Sequence, residues 1–271
     1  MRGPLSSNKT DKRTNQMNYF QPKNTAERYA SGRPDFHENT IGKVKQDLGI
    51  QDKLDKALDV ACGTGLSTRA LLKIADNIFG TDSSEEMLRF AHSNDRINYS
   101  VSTAENQPFP DSEFDIITVC SAIHWFNIDD FLLEASRLLK NDAYLVIYDN
   151  FFISEMKENE DFKHWFPNVY LKRFPSPVRN NNYDWDNGNL KRSHFILEKE
   201  VSFNNEVSFS KEKLMLYFTT QSNITAAIKQ GSSYEEVEDW LNTELAPFFE
   251  DNKVTKTIYF GNWVKYLKRN H

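Results

Sequence analysis

Hydrophobic residues along the chain come in short blocks, and the spacing inside the blocks alternates between two periods. "KALDVA" (56–61), "NIFGTD" (77–82), "INYSVS" (97–102), "FDIITVC" (114–120) and "AYLVIY" (143–148) are apolar runs of strand length. Between them, residues 66–74, 85–92 and 130–140 carry apolar side chains at helical spacing. In the last of these Phe131, Leu132, Ala135, Leu138 and Leu139 fall on one face. Ser83 followed three residues later by Glu86 predicts a capping box at the head of the second. Strands alternating with helices predict an α/β fold. The expectation is a Rossmann-like doubly wound sheet of about seven strands, mostly parallel. "HFILEKEVSF" (194–203) and "KVTKTIYFGNWV" (253–264) supply the remaining strands, with an antiparallel last strand and helical patterns at 211–218 and 234–244 between them.

The rhythm fails in three places. Residues 1–17 are polar and aperiodic and read as a disordered leader, leaving 18–271 as one domain. The helical pattern of 18–49 is interrupted by "SGRP" at 31–34, a turn signal. Residues 151–194, with "FKHWFPNVYLKRFPSPVRN", are aromatic and basic and read as irregular or partly helical. They predict an insertion that forms a lid or substrate wall, since specificity in such folds resides in loops.

Composition narrows the function classes. The formal net charge of −6 lacks the basic footprint of a nucleic-acid binder. No apolar run approaches the roughly 18 residues of a membrane span, so membrane and nucleic-acid partners are both unexpected. The two cysteines, Cys62 and Cys120, fit a reduced cytoplasmic setting better than a disulfide scaffold. His37, His92, His164 and His194 show no metal-ligand spacing with one another or with the cysteines, and no metal is expected. Oligomeric state is not legible. The 20 Phe and 11 Tyr suit a large apolar pocket as well as they suit an ordinary core.

The chemistry concentrates at "LDVACGTGLSTRALL" (58–72), an apolar strand running into a glycine turn and then a helix. A dinucleotide fingerprint needs a third glycine three residues after the second. Here Thr68 occupies that position after Gly63 and Gly65, which argues against a nicotinamide cofactor. Asp59 lies on the strand, and Asp82 ends the next strand, nineteen residues after Gly63. A carboxylate there serves the ribose of either adenosine cofactor or sits beside a helix start. Spacing alone leaves the cofactor open.

Taken in order, "LDVACGTG", "GTDSSEEML", "TAENQPFPDSEFDIITVCSAIHWF" and "EASRLLKNDAYLVIY" resemble the successive motifs of class I S-adenosylmethionine-dependent methyltransferases. The correspondence runs from about residue 19 to 148. "ERYASGRPDF" and "HWF" are similar to the trans-aconitate-methyltransferase-like small-molecule subgroup. The resemblance implies S-adenosylmethionine as cofactor and S-adenosylhomocysteine as product. It implies that Ala61, Cys62, Gly63 and Gly65 face the methionine end, with Asp59 ordering the turn and Asp82 on the ribose. Ser83 and Met87 would lie beside the adenine, and Ala104 and Glu105 at its edge. Ser121 would offer its carbonyl to the cofactor's amino group, while Tyr29 and Arg33 cover the site with Arg33 near the carboxylate. Three departures stand out. Ala61 replaces a usual glycine, Thr103 a usual acid, and "KND" a usual Pro-Gly turn.

The implied reaction is an in-line methyl transfer to a small-molecule acceptor, to a carboxylate or hydroxyl oxygen. The alternative is a non-enzymatic binding protein on the same fold. His124, after the fourth strand, stands as a general base, a substrate contact or a structural residue. Trp125 stands as a pocket wall, and aromatic faces at 125–126 and 162–174 suit a sulfonium or a plain core. Lys172, Arg173 and Arg179 offer charge to a carboxylate acceptor or form a solvated face.

Overall fold

The computed structural model describes residues 25–177, 183–251 and 254–270; the expected leader lies outside them. Side chains alternate across seven strands: β1 (Leu54–Val60), β2 (Ala75–Asp82), β3 (Ile97–Val101), β4 (Phe114–Cys120), β5 (Leu139–Met156), β6 (Phe195–Phe209) and β7 (Lys256–Arg269). They form one sheet in the order β3-β2-β1-β4-β5-β7-β6. The first five strands are parallel, and β7 runs antiparallel between β5 and β6. This is the expected Rossmann-like α/β sheet.

Period-two alternation sends Leu58, Val60, Ile117, Val119, Leu145 and Ile147 to one face, where Phe131, Leu132, Ala135 and Leu138 of α5 (Ile128–Leu138) meet them. Ala57, Ile78, Ile116 and Val146 point to the other face. There they meet Ile41 and Val44 of α2 (His37–Asp47) and Ala70 of α3 (Leu66–Ala70). Between α2 and the chain's described start lies α1 (Thr25–Gly32), and the break between the two helices falls at the expected turn. With both faces covered, the central strands read as continuous apolar runs.

Several element ends differ from expectation, and two of the differences have a visible local cause. Ser84, not Ser83, caps α4 (Glu85–Leu88), its Oγ accepting from Met87 N at 3.2 Å. The Asp82 carboxylate accepts the Ser84 amide at 2.8 Å, so the chain turns at Asp82–Ser83 and the helix begins one residue later. Secondly, α5 stops at Leu138 and Leu139 already pairs with Phe114 in the sheet. The following turn needs a left-handed residue, which Asp142 supplies with φ +61° in place of glycine.

Beyond the sheet's carboxyl edge β5, β6 and β7 continue as a three-stranded arm, so residues 151–156 are strand. A second core is built on that arm. Its helices are α6 (Phe162–Trp165), α7 (Leu171–Arg173), α9 (Lys211–Thr219), α10 (Ser222–Lys229) and α11 (Tyr234–Leu245). A wide π turn at Phe166–Tyr170 joins α6 to α7. Phe152, Phe162, Trp165, Tyr170, Phe218 and Phe260 interlock there. By contrast α8 (Asn187–Lys191) inserts Leu190 into the first core, beside Tyr183 and Trp185. No helix among the described residues is long and apolar enough to cross a membrane.

Candidate functional site

Four strand ends and the N-terminal helices surround one cavity of about 390 Å³. At the end of β1 the chain reverses through three left-handed residues, Ala61 (φ +56°), Gly63 (φ +56°) and Gly65 (φ +78°). The turn is tied down by Cys62 N to Thr81 O at 2.9 Å and Gly65 N to Cys62 O at 2.9 Å. Asp82 closes it from the next strand, its Oδ2 accepting Gly63 N at 2.8 Å. Each Asp82 oxygen thus takes one backbone amide and keeps further lone pairs.

Asp59 lies behind the turn, fully buried. It accepts hydroxyls from Ser67 (2.6 Å), Thr68 (2.7 Å) and Thr118 (2.9 Å), locking the first turn of α3 to β1 and β4. Burial outweighs these donors, and the nearby Asp82 charge adds to it, so the carboxyl is pushed up to about 6. Gly65 also faces away from the cavity. A Cβ there would run into the Tyr99 hydroxyl, whose ring lies over Gly80 as well.

On the opposite wall β4 ends at Ser121, again left-handed (φ +52°), with Oγ donating to Asp149 Oδ1 at 2.5 Å. After β3, residues 102–105 line the cavity, and Glu105 Oε1 accepts the Asn127 amide at 2.9 Å. The Arg33 guanidinium stacks 4.6 Å from the Tyr29 ring and 5.5 Å from that of Tyr217 in the helical cap. Its Nη2 donates to Thr220 O at 3.4 Å.

Of the residues singled out from sequence, Tyr29, Arg33, Ala61, Cys62, Gly63, Asp82, Ser83, Met87, Ala104, Glu105, Ser121 and Trp125 line this one cavity. Asp59, Gly65 and His124 do not. The His124 ring packs 4.9 Å from that of Trp125, which is 66% exposed. Lys172 and Arg173 are exposed on the cap, Arg173 lying over Phe174 and Trp240, and neither lines the cavity. Arg179 lies outside the described residues. Sequence reasoning missed Phe36, His37 and Cys120 as site residues, and all three line the cavity, as does Phe126 of the aromatic pair at 125–126. His37 stands alone in "DFHENT", and nothing local marks it; only the packing of α2 on β5 brings it to the site. Among the described residues no cluster of His, Cys, Asp and Glu could hold a metal ion.

A family profile described as "Methyltransferase domain" matches residues 58–147, which span β1 to the middle of β5. A provisionally assigned methyltransferase of Dictyostelium discoideum is 27% identical over 217 residues, covering 75% of this chain and 77% of the relative. The chain belongs to the class I S-adenosylmethionine-dependent methyltransferases. An uncharacterized protein of Methanocaldococcus jannaschii is 30% identical over 200 residues, covering 70% of this chain and 74% of the relative. In fold, a provisionally assigned type II methyltransferase of Anaeromyxobacter dehalogenans superposes with a TM-score of 0.66 at 18% identity, covering 88% of this chain and 97% of its own. These relatives support a methyltransferase without assigning it to the trans-aconitate-methyltransferase-like subgroup. For a methyltransferase of this class the left-handed φ of Ala61 explains the usual glycine there.

Proposed function

We propose that the cavity binds S-adenosylmethionine and that the enzyme transfers its methyl group to an oxygen of a small-molecule acceptor. The observation that carries the proposal is Asp82: a carboxylate at the end of β2 that fixes the glycine turn with one oxygen and the head of α4 with the other. Its remaining lone pairs suit the two ribose hydroxyls. The cradle fits the group, because a Cβ built on Gly63 would meet only Met87 Cε, at 3.8 Å. Among the described residues no other atom comes within 4 Å of that Cβ, and glycine adopts the φ of +56° there without strain.

In this assignment Ala61, Cys62 and Gly63 hold the methionine end, Ser121 takes the amino group and Arg33 the carboxylate. Met87 and Ser83 flank the adenine opposite Ala104 and Glu105. Asp59 and Gly65 act from behind the turn. The cofactor supplies an electrophilic methyl group; the chain's part is alignment, which is worth up to roughly 7–11 kcal/mol in well-oriented systems. The cap over α1 forms the acceptor's wall, and Trp125 flanks the entrance. A reducing cytoplasm suits the two unpaired cysteines.

The test is turnover. Purified protein incubated with S-adenosylmethionine and a panel of small carboxylic and hydroxy acids should form S-adenosylhomocysteine and a product heavier by one methylene, read by mass spectrometry. Asp82→Ala should abolish both. Turnover unaffected by Asp82→Ala would contradict the assignment.

A further inference from the structure

Three polar side chains at and behind the inner wall of the cavity have no part in the cofactor assignment. They are His37 at the start of α2, Cys120 at the end of β4 and Tyr148 in β5. His37 Nδ1 lies 3.1 Å from Tyr148 Oη and 3.7 Å from Cys120 Sγ. His37 is 8% exposed and Tyr148 1%, yet His37 and Cys120 both line the cavity. The Phe36 ring packs 5.2 Å away, tilted by 51° to the imidazole.

Two tautomers fit that geometry in outline. If Nδ1 carries the hydrogen, Nε2 is a base; if Nδ1 accepts, Nε2 carries the hydrogen. The neighbours decide between them. A phenol is a strong donor, imidazole nitrogen a strong acceptor and sulfur a weak one. Tyr148 therefore gives its hydrogen to Nδ1 and not to Cys120. The hydrogen of His37 then sits on Nε2, on the side of the ring away from Tyr148.

The ring is also uncharged. Burial lowers its pKa to about 4, Arg33 and Arg69 reinforce this, and Asp35 opposes it. The first turn of α2, with its unpaired amides, disfavours the imidazolium further. On the sheet side the Cys120 thiol and the Tyr148 hydroxyl are held protonated by burial. At neutral pH the trio offers no base to a hydroxyl or amine, but it does offer one strong hydrogen-bond donor, beside the weak Cys120 thiol.

We infer that His37, fixed as its Nε2–H tautomer by Tyr148, donates a hydrogen bond to an oxyanion of the methyl acceptor, which enters the cavity already ionised. The acceptor class is a carboxylate, enolate or phenolate, since none of the trio can deprotonate an alcohol or amine. The inference rests on the methyltransferase reading of the cavity. As the acceptor oxygen forms its bond to the methyl carbon, the carbon–sulfur bond breaks and its electron pair stays on sulfur. The sulfonium becomes a neutral thioether, the anion a neutral ester or ether, and no proton moves. A neutral donor suits this step, because it steadies the oxyanion without adding a further fixed charge to that of Arg33.

The experiment is nitrogen-resolved NMR of the imidazoles, six in the whole chain, on protein saturated with S-adenosylhomocysteine and titrated with acetate as the smallest carboxylate probe. His37→Gln assigns the signal. The expected result is a neutral Nε2–H imidazole at pH 7 whose Nε2 resonance moves with acetate. In Tyr148→Phe, which keeps His37 and the ring volume, the tautomer is released and acetate affinity drops about tenfold. S-adenosylhomocysteine affinity stays unchanged in both variants. An imidazolium or an Nδ1–H tautomer in the wild type overturns the inference, as does a His37 signal indifferent to acetate. Weaker S-adenosylhomocysteine binding in His37→Gln also overturns it, by making His37 a cofactor contact. If the wild type binds no S-adenosylhomocysteine, the cofactor assignment falls, and the tautomer is still read on the protein alone.

Discussion

Asp59 shows how a single residue can be structural and costly together. Its carboxyl keeps its proton to about pH 6 in the folded chain, against an ordinary value of 3.8. Between those values the folded state binds more protons than the unfolded one, so stability present at low pH is lost as pH rises through 6. The difference is worth roughly 3 kcal/mol. Asp59→Asn carries no such charge, so urea titrations should show its stability relative to wild type improving by up to about 3 kcal/mol from pH 4 to pH 7. A gap that does not change with pH would contradict this. Asp59→Ala should instead lose about 2–4 kcal/mol, since the buried hydroxyls of Ser67, Thr68 and Thr118 would all lose this carboxylate, with only Thr118 keeping a second, longer acceptor in Leu58 O. At Ala61 the strain is local: a left-handed alanine costs about 1–2 kcal/mol. Ala61→Gly should raise stability by roughly 0.5–1 kcal/mol, net of the added freedom of the unfolded chain, and leave S-adenosylhomocysteine binding intact. A fall in thermal stability would contradict it.

Among the elements, the glycine turn is legible in sequence for two separate reasons that only the structure distinguishes. Gly63 is open to the cavity, whereas Gly65 is glycine because Tyr99 of β3 lies against it. Nothing in "LDVACGTG" points to a tyrosine thirty-four residues on. Gly65→Ala should cost roughly 3 kcal/mol from overpacking and positive φ together. Adding Tyr99→Phe, which removes the hydroxyl in the way, should recover about 1 kcal/mol or more of it. Strict additivity in a double-mutant cycle would rule the contact out as the cause. The strands and main helices were legible because their periodicity is set by burial on two faces. Their ends were less so, because ends are set by tertiary partners: Asp82 moves the cap from Ser83 to Ser84, and pairing with Phe114 ends α5 early. The cavity's cofactor side was legible through motif order. Its inner wall was not, since His37, Cys120 and Tyr148 come from three elements with no shared spacing.

At the scale of the whole molecule, cap and sheet are one body because three strands of 18, 15 and 14 residues run through both. Sequence could not give this, since 151–156 carries no clear alternation and reads as the start of an irregular or partly helical insertion. Phe218 is fully buried in the cap core, and Phe218→Ala should cost about 3–5 kcal/mol. That loss should shift the unfolding of sheet and cap together, read as hydrogen exchange in β4 and in the cap end of β5 rising at one denaturant concentration. Earlier exchange of the cap alone would mean that the arm does not couple them.

The central claim, that the glycine turn and Asp82 form an S-adenosylmethionine site, is tested most directly by calorimetric titration with S-adenosylhomocysteine. NADH and the Asp82→Ala variant are run alongside. The expected result is micromolar or tighter binding, no heat from NADH, and a loss of at least about tenfold in affinity in Asp82→Ala. No binding of S-adenosylhomocysteine, or equal binding by Asp82→Ala, would contradict the claim.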